Sequence, residues 1–287
     1  MVQNIVPPRQ INTGCSRIFF ISFHGVFLAM FITDITVLHP KRIISLVPSI
    51  TELLFDIDLS EKLIGITRFC VHPSTRTKNV EKIGGTKKIN IQKIISLQPD
   101  LIIANKEENN KEDVETLAAL FPLLLTDVDT YESAIKMIVH IGIITDKVTE
   151  ANDLLTIIDE GFKTIQKPLQ PIKTIYLIWN DPYMTIGNDT FIHHMLQLLG
   201  LQNLFSHKER YPQLTIAQIK DAAPQVLLLS SEPFPFKQKH IQEIAAFLPN
   251  TSIMLADGEM FSWYGSRMKY MPQYFNNLVN EMPQVNS

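Results

Sequence analysis

The residues of this chain whose types could hold a metal are the adjacent pair His193-His194 and the fragment Cys70-x-His72. Neither makes a site by itself. Neighbouring residues of a helix point about 100° apart, so one helix cannot bring both imidazoles to one ion. Cys70 and His72 supply two ligands, and no third or fourth stands at ligand spacing nearby. The second cysteine is Cys15, so cysteine defines neither a disulfide framework nor a cysteine-rich metal centre. No GxGxxG, P-loop, GxSxG or HExxH pattern occurs. What remains is a set of residues that bind rather than react: Trp179, Tyr183, Phe261, Trp263 and Tyr264, all expected in loops or at strand ends. Aromatic rings suit stacking and apolar contact with a large ligand, or else they plug an interface.

The elements that would position these residues follow from length and pattern. The 287 residues allow one large or two modest domains, and a hydrophobic fraction of 45% fills a core in each half. A net charge of −3 gives no reason to expect nucleic acid or an anionic membrane surface as partner. Residues 1–29 stand apart. Arg9 and Arg17 precede an apolar run from Ile18 to Met30, which reads as a signal-like segment or as a mis-started stretch with translation beginning at Met30. His24 interrupts the run and no A-x-A site follows it.

The longest helical pattern covers residues 131–166. Apolar residues recur at Tyr131, Ile135, Ile138, Ile141, Ile144, Val148, Ala151, Leu155, Ile158, Phe162 and Ile165, which keeps one face apolar. Thr130 offers an N-cap. One helix of that length spans about 54 Å, more than a small domain, so it would lie across two bodies. The competing reading is two helices broken near Gly142 or Asp146.

Strand and helix alternate on both sides of this stretch, which argues for α/β architecture with mainly parallel sheets. Strands are expected at Arg42–Val47, Leu63–Thr67, Leu101–Ala104, Leu123–Thr126, Lys173–Trp179, Val226–Leu229 and Ser252–Ala256. Helices are expected at Ser49–Phe55 with a Ser49/Glu52 capping box, at Ile91–Leu97, from Asn110 through Leu120, and at Asp189–Leu199, Ile216–Asp221, Lys237–Phe247 and Arg267–Asn280. The halves also repeat. Ile91, Ile94, Pro99, Leu101 and Glu107 recur as Ile216, Ile219, Pro224, Val226 and Glu232 at one constant offset. The expected organisation is an N-terminal lobe over 30–130, a bridging helix over 131–166 and a C-terminal lobe over 167–287. In such sheets ligands sit beyond the carboxyl ends of the strands, here in a cleft between lobes.

At this point the sequence resembles a known family. Arg42–Phe55 (RIISLVPSITELLF), Ile64–Pro73 (IGITRFCVHP), Lys82–Asn109, Asn203–Leu229 and Phe261–Met268 (FSWYGSRM) are similar to the helical-backbone, class III periplasmic substrate-binding proteins of ABC importers, and within them to the cobalamin-binding type. The resemblance covers residues 32 to 281. It implies two Rossmann-like lobes bridged by one long helix, no enzymatic activity, no resident cofactor, and a monomer that hands cobalamin, haem or an iron–siderophore to permease subunits. The matching ligand candidates are Arg68, Phe69, Gly85, Thr86, Trp179, Tyr183, Trp263, Tyr264 and Arg267. The candidates for docking the transporter are Glu107, Glu112 and Glu232. His72 is the residue that could meet a corrin cobalt. A cell-envelope location follows from the resemblance, and a cytosolic corrinoid-handling role follows if translation starts at Met30. A two-lobed enzyme would instead require a phosphate-binding glycine loop or a cysteine cluster.

Overall fold

In this computed structural model the described residues are 38–283, together with the backbone of Phe19–Phe23 and Val26–Met30. The signal-like or mis-started reading of residues 1–29 otherwise lies outside the described residues. Those two strands pair with each other antiparallel, and the first also pairs antiparallel with Leu123–Thr126.

The two expected α/β lobes are present. In the N-terminal lobe, Leu123–Thr126, Leu101–Asn105, Ile43–Ser45 and Leu63–Ile66 run parallel in that spatial order. In the C-terminal lobe, Leu201–Asn203, Ile172–Leu177, Val226–Ser230 and Ser252–Ala256 form a four-stranded parallel sheet. A three-stranded antiparallel flap, Gln213–Leu214, Tyr183–Met184 and Trp179–Asn180, extends the second lobe. The sequence pattern did not show Leu201–Asn203 or this flap, because segments of two or three residues carry no period.

Successive residues of a strand face opposite sides of the sheet, and both sides here are covered. Ile44, Ile102, Ala104 and Leu123 face an outer core of the first lobe. Ile175, Leu177, Leu227 and Leu229 face the outer core of the second. Their alternating neighbours Ile43, Leu101, Ile103 and Leu124, and Tyr176, Val226 and Leu228 across the molecule, belong to one continuous inner core. The lobes therefore share hydrophobic interior. Each fully buried Leu or Ile adds about 1.5–3 kcal/mol to that association.

The single helix expected over 131–166 is instead two helices, Tyr131–Thr145 and Val148–Phe162. Thr130 does cap the first, with Ser133 closing the box. The break falls at Asp146, which adopts a left-handed conformation (φ 60°, ψ 42°) and lets the Lys147 amide donate to the Gly142 carbonyl at 2.7 Å. Asp tolerates that conformation better than most residues. Gly142 makes the turn compact, since a Cβ there would stand 2.7 Å from the Ala151 Cβ. The apolar period runs through the break because both helices bury the same side in the inner core, with Ile138, Ile141 and Ile144 from one and Ala151, Leu154 and Ile158 from the other.

Two smaller expectations also change. Pro48 opens the helix Pro48–Asp56, Val47 is its N-cap, and no side chain caps it. Ser49 and Glu52 thus form no capping box, and Glu52 turns to the other lobe. The final helix does not begin at Arg267; a 3-10 turn, Ser266–Lys269, precedes the helix Met271–Glu281.

The repeat is visible in the backbone. Ile91–Leu97 and Ile216–Asp221 are helices capped by Asn90 and Thr215. Gln98 and Ala223, at the same offset, both take a φ of 46° before the proline that leads into the strand.

Candidate ligand-binding cleft

The loops after the N-terminal strands are held by buried amides. Asn109 accepts from the Asn105 amide at 2.9 Å and donates to the carbonyls of Leu46 and Thr86 at 3.2 and 3.1 Å, which staples three strand-end segments together. Asn105 in turn accepts from the amides of Glu107 and Glu108 at 2.8 and 3.2 Å. Ser230 does the same for the Glu232 amide at 3.3 Å in the second lobe. Each repeat glutamate is therefore held at a matching corner.

Between the lobes lies a cavity of about 580 Å³. Lys106, Glu107, Glu108 and Asp127 line it from the first lobe, and Phe191, Arg210, Tyr211 and Tyr264 from the second. Glu107 crosses the gap. It forms an ion pair with Arg210 and accepts from the Tyr211 hydroxyl at 2.7 Å. Burial, and then the charge of Glu107, raises the Tyr211 phenol well above its usual range. Arg210 also sits 3.6 Å from Asp189. Burial raises the half-buried Glu108 carboxyl; Lys87 opposes this and Glu232 adds to it.

A second set of charges ties the lobes beside this cavity. Arg267 donates through Nε and Nη2 to Glu52, each at 2.9 Å, and pairs through Nη1 with Glu259 at 2.9 Å. Glu259 reaches His72 at 3.0 Å, and the Trp263 ring meets both the Arg267 guanidinium, 4.9 Å away, and the His72 ring, edge-on at 5.4 Å. Lys269 pairs with Asp56 at 2.9 Å. Burial raises the Glu52 carboxyl despite the pull of Arg267.

The candidates from sequence thus divide. Of the ligand set, Tyr264 lines the cavity. Arg68, Phe69, Gly85 and Thr86 form one cluster on the first lobe: the Arg68 guanidinium lies 5.1 Å from the Phe69 ring, whose edge occupies the space a Gly85 side chain would need. Trp179 is exposed beside Phe234, with its indole donating to the Asp181 carbonyl at 3.1 Å. Tyr183 turns toward Phe247 and the outer core. Trp263 and Arg267 are committed to the cross-lobe ion lattice. Among the docking candidates, Glu112 is exposed in the first turn of Lys111–Ala118. Glu232 accepts from Ser262 at 2.7 Å and Trp263 at 3.0 Å, and Glu107 is held as described.

Sequence reasoning missed Glu108, Asp127, Asp189, Phe191, Arg210 and Tyr211 as cleft residues. Glu108 follows the expected strand Leu101–Ala104, at the carboxyl end where ligands sit, and the Arg210-Tyr211-Pro212 run carried a basic and aromatic signal. Asp189 and Phe191 belong to the start of a helix, and nothing in their spacing marks them as cleft-facing.

The metal fragments resolve into packing. The Cys70 thiol is buried between Thr51 and Thr67 at 3.1 and 3.2 Å, and burial raises its pKa. His193 faces Asn203 at 3.1 Å, while His194 faces Glu132 at 3.6 Å. Among the described residues no three His, Cys, Asp or Glu side chains are grouped to hold a metal, and no helix is long and apolar enough to cross a membrane.

Two parallel-sheet lobes around a cavity at their strand ends define a two-lobed α/β binding fold. The chain belongs to the periplasmic binding protein family, whose sequence profile matches residues 43–249. It is 28% identical over 207 residues to an uncharacterized ABC transporter substrate-binding lipoprotein of Bacillus subtilis, a match covering 68% of this chain and 65% of that relative. It is 26% identical over 212 residues to the vitamin B12-binding protein of Yersinia pestis, covering 72% of this chain and 74% of that one. The crystal structure of the periplasmic vitamin B12-binding protein of Vibrio cholerae superposes with a TM-score of 0.69 at 22% identity, over 85% of this chain and 98% of that one, which attests to the fold.

Proposed function

We propose that this protein is the substrate-binding receptor of an ABC uptake system in the cell envelope, and that it captures cobalamin or a related metal chelate in the interlobe cleft. The cavity of about 580 Å³ between the lobes, in a chain with this family profile, carries the reading. The ligand is cargo. The chain's own residues bind it, exclude water and hold its orientation, and no resident cofactor or catalytic step is invoked. Tyr264, Phe191 and Tyr211 supply aromatic surface, and the Arg68–Phe69 pair and Trp179 stand as further contacts at the strand ends. The permease is the protein partner and the receptor acts as a monomer. Exposed Glu112 is the docking carboxylate, because Glu107 and Glu232 already have partners inside the molecule. Calorimetric titration with cyanocobalamin, haem and ferric siderophores tests this. At least one should bind well below 1 mM; binding no better than millimolar, worth about 4 kcal/mol, overturns the reading.

A further inference from the structure

The charges of the cleft are unbalanced. Five carboxylates line it, Glu107, Glu108, Asp127, Asp129 and Asp189, against two cations, Lys106 and Arg210. Both cations are already engaged: Lys106 pairs with Asp127 at 3.0 Å, and Arg210 with Glu107 and Asp189. Two further groups point to what the cleft meets. The Tyr264 ring is 6% exposed and lines the cavity, yet among the described residues its buried hydroxyl has no partner in hydrogen-bonding geometry, although Ser49 lies near. The half-buried Glu108 carboxylate lines the same space and, among the described residues, accepts no hydrogen bond, while its amide donates to Asn105. A carboxylate in a partly dehydrated cleft only accepts, so it favours a ligand that brings hydrogen-bond donors to it, and an unpartnered hydroxyl can accept from the same donors.

We propose that the cleft is charge-selective: it accepts a neutral or cationic chelate that presents hydrogen-bond donors such as amides to Glu108 and Tyr264, and it rejects anionic chelates of the same shape. This rests on the receptor reading above. Coulomb repulsion in a half-buried site is several times stronger than in bulk water, so one added negative charge on the ligand weakens binding by about tenfold or more.

Matched probes test it. Cyanocobalamin is compared with its monocarboxylate derivatives, and cationic ferrioxamine B with its succinylated, anionic form, by isothermal titration at low salt. In each pair that binds, the uncharged or cationic member should bind at least about tenfold tighter. The gap should narrow in Glu108→Gln, with the melting temperature of that variant confirming its fold, and it should narrow again with added salt. Tyr264→Phe should weaken both members of a pair alike. Equal or tighter binding of the anionic members, or an unchanged gap in Glu108→Gln, overturns the charge selectivity while leaving the receptor standing. Binding of none of these probes, nor of haem, overturns the receptor reading and the selectivity with it.

Discussion

At the scale of single residues, the molecule joins its lobes with charges it can hardly solvate. Arg267 is buried between Glu52 and Glu259, and removing one member of a buried pair leaves the others uncompensated. Arg267→Met should lower the free energy of unfolding by about 3 kcal/mol in urea titration. Adding Glu52→Met should return part of that loss, because the pair's desolvation cost disappears with it. His140 supplies the acid limb. Burial, with help from Lys136, lowers its pKa to about 4 from 6.5. A depressed folded pKa means the unfolded chain binds the proton first. The contribution is fully present above pH 6.5 and is lost as pH falls toward 4, on the order of 3 kcal/mol in all. Stability measured from pH 7 to 4 should therefore fall less steeply in His140→Leu than in the parent chain. Residue types pointed to aromatic, hydrogen-bonding residues at the strand ends, and of these Tyr264 lines the interlobe cavity. They did not foretell that Arg267 and Trp263 face protein carboxylates, since Glu52 lies more than two hundred positions away and only the folded chain brings it there.

At the scale of elements, periodicity was a sound guide to what is helical or extended and a poor one to where a helix bends. The apolar stripe from Tyr131 to Ile165 persists because both helices bury one face in one core, so a single left-handed residue leaves no trace in it. The signal was local chemistry: Gly142 and Asp146, four apart. Gly142→Val should destabilise by about 1–3 kcal/mol through its clash with Ala151, read as a lower urea midpoint with unchanged slope. Ala223 shows the reverse case. It holds a φ of 46° without the freedom of glycine, so Ala223→Gly should raise the free energy of unfolding by up to about 1 kcal/mol, read as a higher urea midpoint. The repeat was legible to the residue, from the capped helices to the strands Leu101–Asn105 and Val226–Ser230, because helix start, proline and strand move together.

At the scale of the molecule, two α/β lobes were readable from alternating strands and helices, but their manner of union was not. One long helix was expected to lie across the two bodies. The lobes are joined instead by the shared inner core and the Glu52–Arg267–Glu259–His72 lattice, which both cross from lobe to lobe. Small-angle scattering with and without a bound ligand should show little change in radius of gyration, while Arg267→Met should widen the difference.

That common interior also decides how the protein answers heat. Two bodies linked by a rod would melt separately, and a ligand gripped mostly by one would protect that one alone. A chain whose lobes share a core should show a single endotherm, and occupancy anywhere in the cleft should shift all of it. At a hundredfold excess over the dissociation constant the shift corresponds to about 2.7 kcal/mol, so a plain melting scan against a shelf of chelates becomes a complete assay for the cargo.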